Sequence, residues 1–458
     1  MKFSLLTCSG THLKQPIEYH YWEGLMEFKF PKSQHKFIFL GSIAVIYIGL
    51  VVWLDFLQGP YLWDETHFWE TSLTFSDRLM PNLNDLRDYQ ELSTPLPFII
   101  FGALEYLFGQ GIFAGRLLNL ILSLVMVFMI GWPSPKKGGR AILCVIGLFL
   151  CPYYLLFSGH LYTEMMACFW GLIGISSYFR NRHILSSLAF ILAIASRQYM
   201  LAFPMGIAAY EIFCALKLKA NKLDRGKSSI LKMLVFTVAS LSILGWIVLF
   251  GGLAPVSSFD VRPAPNVQRS LLALTPNSGL YALSIIGLYF VIPELLLFWK
   301  DFSLRQVLQQ RRKKHLYLVI CSILLVLFII FPPSLLARGP LIKLAAFMST
   351  DFLKLGLFYC LAALTCVRFA KLNLGTWLLL FHSLIMMKAF PWDKYALPLL
   401  VVLWFLKSID FLDPEVSAMP ALQAVGETQV PIPVHGQADG LRPEPSRTVE
   451  RGSVEVEA

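Results

Sequence analysis

The chain has 458 residues, 56% of them apolar and 15% charged, with a formal net charge of +10 and a mean hydropathy of +0.61. A water-soluble protein of this length does not carry so much apolar surface, and the apolar residues fall in blocks of about 15 to 22, so the bilayer is the relevant solvent. The basic residues sit in short clusters between those blocks, a topology signal and not a nucleic-acid surface.

In chain order, the first apolar run, within residues 1–14, is too short for a secretory signal. Residues 19–30 form an aromatic amphipathic stretch suited to the cytoplasmic surface. Twelve apolar segments then follow, near 37–57, 111–132, 141–157, 164–179, 183–196, 199–216, 232–252, 279–298, 316–331, 346–367, 374–389 and 395–410. They predict an all-α, polytopic membrane helix bundle of about twelve spans. The run 97–108 is too short to cross and predicts an interfacial or half-inserted helix in a long first outer loop. From about residue 412 the composition turns to Pro, Glu, Val, Gly and Ser without apolar periodicity, which describes a disordered cytoplasmic tail. The predicted organisation is thus 1–36 as a cytoplasmic segment, 37–411 as the membrane domain and 412–458 as the tail. No internal repeat suggests a transporter built from two related halves.

Lys and Arg collect in alternate connections, as the positive-inside rule requires. One set holds Lys32 and Lys36; Lys136, Lys137 and Arg140; Arg180 and Arg182; the cluster from Lys217 to Lys227; the cluster from Lys300 to Lys314; and Arg368 with Lys371. These loops are predicted to be cytoplasmic, as are both termini. The other set, at 58–110, 158–163, 196–198, 253–278, 332–345 and 390–394, is predicted to face the periplasm or lumen.

The eight cysteines lie mostly inside apolar blocks, at Cys144, Cys151, Cys168, Cys214, Cys321, Cys360 and Cys366. With no CxxC pair and no His/Cys spacing suited to zinc, they indicate neither a disulfide framework nor a metal site.

The chemistry-bearing residues gather in the outer set. Trp63-Asp64-Glu65-Thr66-His67 places adjacent carboxylates among aromatics just beyond a span end, where a carboxylate can act as general base toward a hydroxyl. The alternative is that Asp64 caps a short helix and Glu65 supports its first turn. His67, with no second His or Cys at metal spacing, is a packing or hydrogen-bonding residue. Arg197 and Gln198 occupy a tight turn between two spans, where a cation beside hydrocarbon needs an anion. That anion is either a ligand phosphate or one of Asp64, Glu65 and Glu164. Glu164 opens a span and can orient an acceptor hydroxyl or hold Arg197. Asp393-Lys394-Tyr395 repeats the pattern at a second boundary, with a snorkelling lysine as the plainer reading. Glu105, Arg262 and Arg269 read as surface charges.

An arrangement of acids, an arginine and a lysine at one membrane boundary, with almost uncharged span interiors, suits a lipid that carries a phosphate and a sugar better than an ion pump. The motifs resemble the GT-C class of integral membrane glycosyltransferases, and most of all the dolichyl-phosphate-glucose alpha-1,2-glucosyltransferase family. The likeness lies in Trp63-Asp64-Glu65-Thr66-His67-Phe68, Ser93-Thr94-Pro95-Leu96, the segment from Phe157 to Glu164, Arg197-Gln198 and, loosely, Asp393-Lys394-Tyr395. The Thr-Asn that follows Arg-Gln in that family is absent here, and Lys394 stands where it carries arginine and histidine.

The resemblance implies an inverting transfer of a hexose, glucose in that family, from a polyprenyl-phosphate donor to a glycan, glycolipid or protein acceptor. Asp64 or Glu65 would be the base. Arg197 and Lys394 would hold the phosphate, and Gln198, Glu164, Asp393, Tyr395 and Trp63 would line the substrate. No Gly-rich nucleotide loop is present; adjacent acids alone do not make a divalent-cation site, and the sequence leaves open whether a divalent cation assists as a cofactor. The predicted location is a bacterial cytoplasmic membrane, with the endoplasmic reticulum as the alternative. A lipid-linked-sugar translocase or other transporter would use the same mouth without a base.

Overall fold

The computed structural model describes residues 32–132, 139–220, 226–262, 266–299 and 311–412. The amphipathic stretch 19–30, the tail from 413, and Lys136, Lys137, Lys222, Arg225, Lys300 and Arg305 lie outside those residues.

Among the described residues the secondary structure is helical, with one isolated bridge between Arg338 and Trp392 and no strand. The principal helices are α1 (Lys32–Ile48), α2 (Glu65–Leu73), α3 (Leu96–Phe108), α4 (Ile112–Gly131), α5 (Arg140–Phe149), α6 (Pro152–Ser158), α7 (Thr163–Phe179) and α8 (His183–Ser196). They continue with α9 (Ala202–Ala220), α10 (Gly226–Phe250), α11 (Pro276–Ile286), α12 (Arg311–Ile330), α13 (Asp351–Arg368), α14 (Leu374–Met386) and α15 (Leu397–Ser408). Each of the twelve apolar segments coincides with a helix, and the run at 97–108 coincides with α3.

Among the described residues, five helical stretches are by length and composition alone apolar enough to cross a membrane: Lys36–Trp53, Ile112–Gly131, Gln198–Leu216, Ile230–Phe250 and Pro276–Leu297; that measure does not reach a count of twelve. A sixth appears if α5 and α6, bent by 80°, are counted as one. The reason is geometric. At about 1.5 Å per residue, helices such as α8, α14 and α15 fall well short of a hydrocarbon core of about 30 Å. α13 has the length but carries Asp351, Lys354 and Arg368. Large apolar side chains such as Val45, Val248 and Ile329 point outward, 71%, 82% and 72% exposed, which only a lipid surround makes economical. The chain is an integral membrane protein.

The α5–α6 bend is built into the sequence. Cys151 is extended (ψ 110°) and Pro152, which has no N–H, starts the next helix. At Gly147 the absent side chain admits the fully buried Trp404 of α15, since a Cβ there would lie 2.3 Å from the indole.

Connections of the less basic set are hydrogen-bonded to one another. Gln198 Nε2 donates to the carbonyls of Leu92 and Leu253, Thr94 Oγ1 donates to that of Ile194, and the Ser257 hydroxyl donates to that of Tyr89. The Arg338 N–H donates to the Pro391 carbonyl and the Thr275 N–H to that of Met387. Basic connections meet elsewhere, through the Arg140–Asp410 pair and through Glu294, which binds Arg368 (2.6 Å) and Lys407 (2.9 Å).

Candidate active site

Asp64 and Glu65 are adjacent but take separate partners. Glu65 is fully buried, and both its oxygens are occupied. Oε1 accepts from Arg116 Nε (2.7 Å) and from the Leu161 N–H (2.6 Å); Oε2 accepts from Arg116 Nη2 (2.7 Å) and from the Leu62 N–H (3.0 Å). Arg116, from α4, spends its other donors on the carbonyls of Leu57, Gly59 and Pro60. Every N–H of that guanidinium is satisfied. The pair therefore clamps the start of the first loop, and Glu65 has no lone pair left for a substrate proton. Of the two adjacent acids, Asp64 is the one whose side chain is open.

Asp64 remains accessible, its side chain 32% exposed. It stands at the N-cap of α2 without making a side-chain capping bond, so the capping alternative does not describe it. Trp63, in the left-handed region at φ 50°, turns the chain immediately before it. Such a conformation costs a bulky residue about 1–2 kcal/mol, which the Arg116 clamp on the preceding carbonyls holds in place. The Trp63 ring itself is half exposed, 6.4 Å from Tyr153.

Asp64 Oδ2 lies 2.5 Å from Lys394 Nζ. Burial pushes the Asp64 carboxyl up, but Lys394, with Arg197 and His67 behind it, outweighs burial and holds it below the usual carboxylate range. Lys394 is itself buried, its ammonium 3.9 Å from the Trp392 ring centre and 5.6 to 5.9 Å from those of Tyr162, Tyr395 and Phe68. This is an aromatic cage of the kind that favours a desolvated cation. The same ammonium is 3.9 Å from Glu164 Oε1, which in turn receives Arg197 Nη2 at 2.6 Å. Asp64, Lys394, Glu164 and Arg197 thus form one line of alternating charge, drawn from the first loop, the starts of α7 and α15 and the end of α8.

Other predicted site residues go elsewhere. Gln198 ties two loop carbonyls together, as above, and does not reach the line. Asp393 points away from Lys394 into a separate buried network, accepting from Tyr281 (2.7 Å), Tyr289 (3.0 Å) and the Leu341 N–H (2.8 Å). Both therefore act as loop anchors, because adjacent residues in a tight turn face opposite ways. Burial pushes the Asp393 carboxyl up to about 6. Tyr395 packs against Tyr199 and Trp392 at the wall of the cage. His67 pairs with Glu70, Glu105 accepts from the Gly111 N–H, Arg262 pairs with Glu91, and Arg269 donates to the Phe259 carbonyl.

Two residues escape the sequence reading. Arg116 sits inside an apolar span, where an uncompensated cation would be costly, and that cost is the signal that could have found it. Arg338 is exposed, its guanidinium over Phe390 (5.4 Å) and over Trp392 (5.3 Å), the ring that also cages Lys394. No carboxylate pairs with it among the described residues, and nothing in the local sequence distinguishes it from other loop cations.

No family model matches the chain, and no curated protein matches it. Among solved structures it is similar to that of ArnT from Cupriavidus metallidurans bound to undecaprenyl phosphate. The identity is 16%, the match covers 81% of this chain and 77% of that one, and the TM-score is 0.37. A likeness of that degree assigns neither family nor activity.

Proposed function

We propose that the protein transfers a sugar from a polyprenyl-phosphate donor to a hydroxyl acceptor, with Asp64 as general base. The single observation that carries this reading is the Asp64–Lys394–Glu164–Arg197 line. It joins an accessible carboxylate to a caged cation at the end of the bundle where a lipid phosphate would lie.

In this mechanism the acceptor hydroxyl gives its proton to Asp64 as its oxygen bonds to the anomeric carbon. The bond from that carbon to the phosphate oxygen breaks with its electron pair, and polyprenyl phosphate departs from the opposite face, inverting the centre. Lys394 has two roles. Before the donor binds it neutralises Asp64; a donor phosphate competes for the same ammonium, which frees the carboxylate and makes it more basic when a proton must be taken. Arg197 is held by Glu164, so it adds positive potential and positions Glu164, while the exposed Arg338 is the cation open to make first contact with phosphate. Trp63 and Tyr395 supply ring faces for the sugar. The donor sugar is a hexose, with glucose supported by the motif resemblance, and the acceptor is a lipid-linked glycan, glycolipid or protein.

The alternation of basic loops further supports an arrangement in which the shorter helices also cross, giving up to twelve spans. Both termini would then be cytoplasmic and the site would face out of a bacterial cytoplasmic membrane.

Asp64→Asn should cut transfer at least about 100-fold, the usual worth of a general base, measured with purified protein in liposomes and a radiolabelled polyprenyl-phosphate hexose. Wild-type turnover in that variant would eliminate the mechanism. Movement of the sugar lipid across the bilayer without covalent transfer would point to a translocase.

A further inference from the structure

An open hollow of about 330 Å³ lies between the first loop and the connection that follows α10. That volume falls within the range of small-ligand sites, about 300–1,000 Å³. Asn84, Arg87 and Asp88, in and just past the short helix Leu83–Arg87, form its polar side, and Phe250, the last residue of α10, forms its apolar side with Val256. Phe250 is buried, its ring 5.7 Å from that of Trp246 and 5.9 Å from that of Tyr89, so the apolar side is firmly packed. The polar side chains are not spent on the fold. Among the described residues neither the Asn84 amide nor the Arg87 guanidinium has a hydrogen-bond or ion-pair partner. Asp88 uses only Oδ1, which accepts from the Ser257 N–H at 3.2 Å. Three planar groups therefore offer paired donors and acceptors. Arg87 and Asp88 cancel in charge, so this side favours neither an anion nor a cation.

The two sides are fixed to each other and to the charge line. The Ser257 hydroxyl donates to the Tyr89 carbonyl, Arg262 Nε to that of Gln90, and Gln198 Nε2 to those of Leu92 and Leu253. Gln198 directly follows Arg197, and Glu91, just past Asp88, feels the charges of Arg197 and Asp64. A hollow held this way loses little freedom when a ligand enters. Neighbouring hydroxyls of a sugar ring match planar donor and acceptor pairs, and its C–H groups match an apolar floor.

We infer that this hollow holds an uncharged stretch of the acceptor glycan, behind the hydroxyl that reacts at Asp64. The inference rests on the transferase reading for the glycan's role as acceptor.

The test uses the full chain in detergent, with binding of maltotriose, mannotriose and chitotriose measured by calorimetry. The wild type should bind at least one of these neutral sugars. Asn84→Ala and Arg87→Ala should each weaken that binding about three- to tenfold, the worth of a hydrogen bond or two. Val256→Trp, which fills the hollow and leaves its polar side intact, should weaken it at least about tenfold. All three residues are exposed, so the melting temperatures should match that of the wild type. Binding of farnesyl phosphate, a probe for the cations of the line, should be unchanged. A wild type that binds none of the sugars, or binding that none of the variants alters, would overturn the inference. So would a preference for trigalacturonate, which would make the hollow an anion site set by Arg87, or for triserine, which would make it a peptide site. If Asp64→Asn transfers like the wild type while the sugars bind as expected, the transferase reading falls and the glycan site stands. If Asp64→Asn loses transfer and the wild type binds no trisaccharide, only the glycan site falls.

Discussion

Asp64 and Glu65 carry the same functional group one residue apart, and their surroundings assign them opposite duties. Glu65 accepts four hydrogen bonds inside the fold, whereas Asp64 has one short contact and an open side. Removing one partner of a buried ion pair leaves the other uncompensated and costs about 3–5 kcal/mol. Arg116→Leu should therefore lower the melting temperature sharply, and its residual transfer should track the folded fraction. Lys394→Met should behave differently. Lys394 is the largest influence lowering the Asp64 carboxyl, so its removal should shift the acid limb of the kcat/KM profile to higher pH and raise KM for the donor. An unmoved acid limb would mean that Asp64 is not the titrating base. The adjacent acids and the Arg197 turn were legible from the sequence because polar residues at a hydrocarbon boundary demand a reason. Which acid was free was not, since that depends on Arg116, 51 positions further along the chain.

At the scale of helices, positions were readable and crossings were not. Apolar blocks locate helices because twenty consecutive backbone amides in a poor solvent must pair internally. Whether a block of 13 or 14 residues, as in α14 and α8, spans a bilayer depends on its neighbours. The apolar run 97–108 coincides with α3, and the structure adds what holds it. At Gly102 a Cβ would lie 2.6 Å from the Ser72 carbonyl oxygen and 2.7 Å from the Phe75 carbonyl carbon. These are backbone atoms that cannot rotate away. Gly102→Ala should push α3 from α2, the helix that begins just after Asp64. Both thermal stability and transfer should fall, whereas Gly41→Ala, with open space around it, should change neither.

For the molecule as a whole, the two aspartates give stability opposite dependences on pH. Asp393, pushed up to about 6 from 3.8, holds its proton more tightly folded than unfolded. Its contribution is fully present below the unfolded value and is lost as pH rises through about 6. The shift corresponds to about 3 kcal/mol. Glu91, raised mainly by burial against the pull of Arg262, has the same sign. Asp64 is lowered, so its contribution is present above the unfolded value and disappears as pH falls through the folded one. The melting temperature in detergent should rise on acidification from about pH 8 to pH 5 and drop at more acidic values. A monotonic fall from pH 8 downward would contradict the assignment of Asp393.

The Arg116 clamp also bears on how the protein is made. Residues 57–65 leave the ribosome first, yet their carbonyls and Glu65 find their cation only when residue 116 follows, and Asp64 finds its own only with residue 394. Until residue 116 follows, the nascent loop therefore carries a bare carboxylate pair beside the membrane. Insertion of α4 would neutralise one acid early, and the other would stay solvated until the last helix is delivered. A chain stopped short of that helix would present an unpaired charge for quality-control machinery to detect.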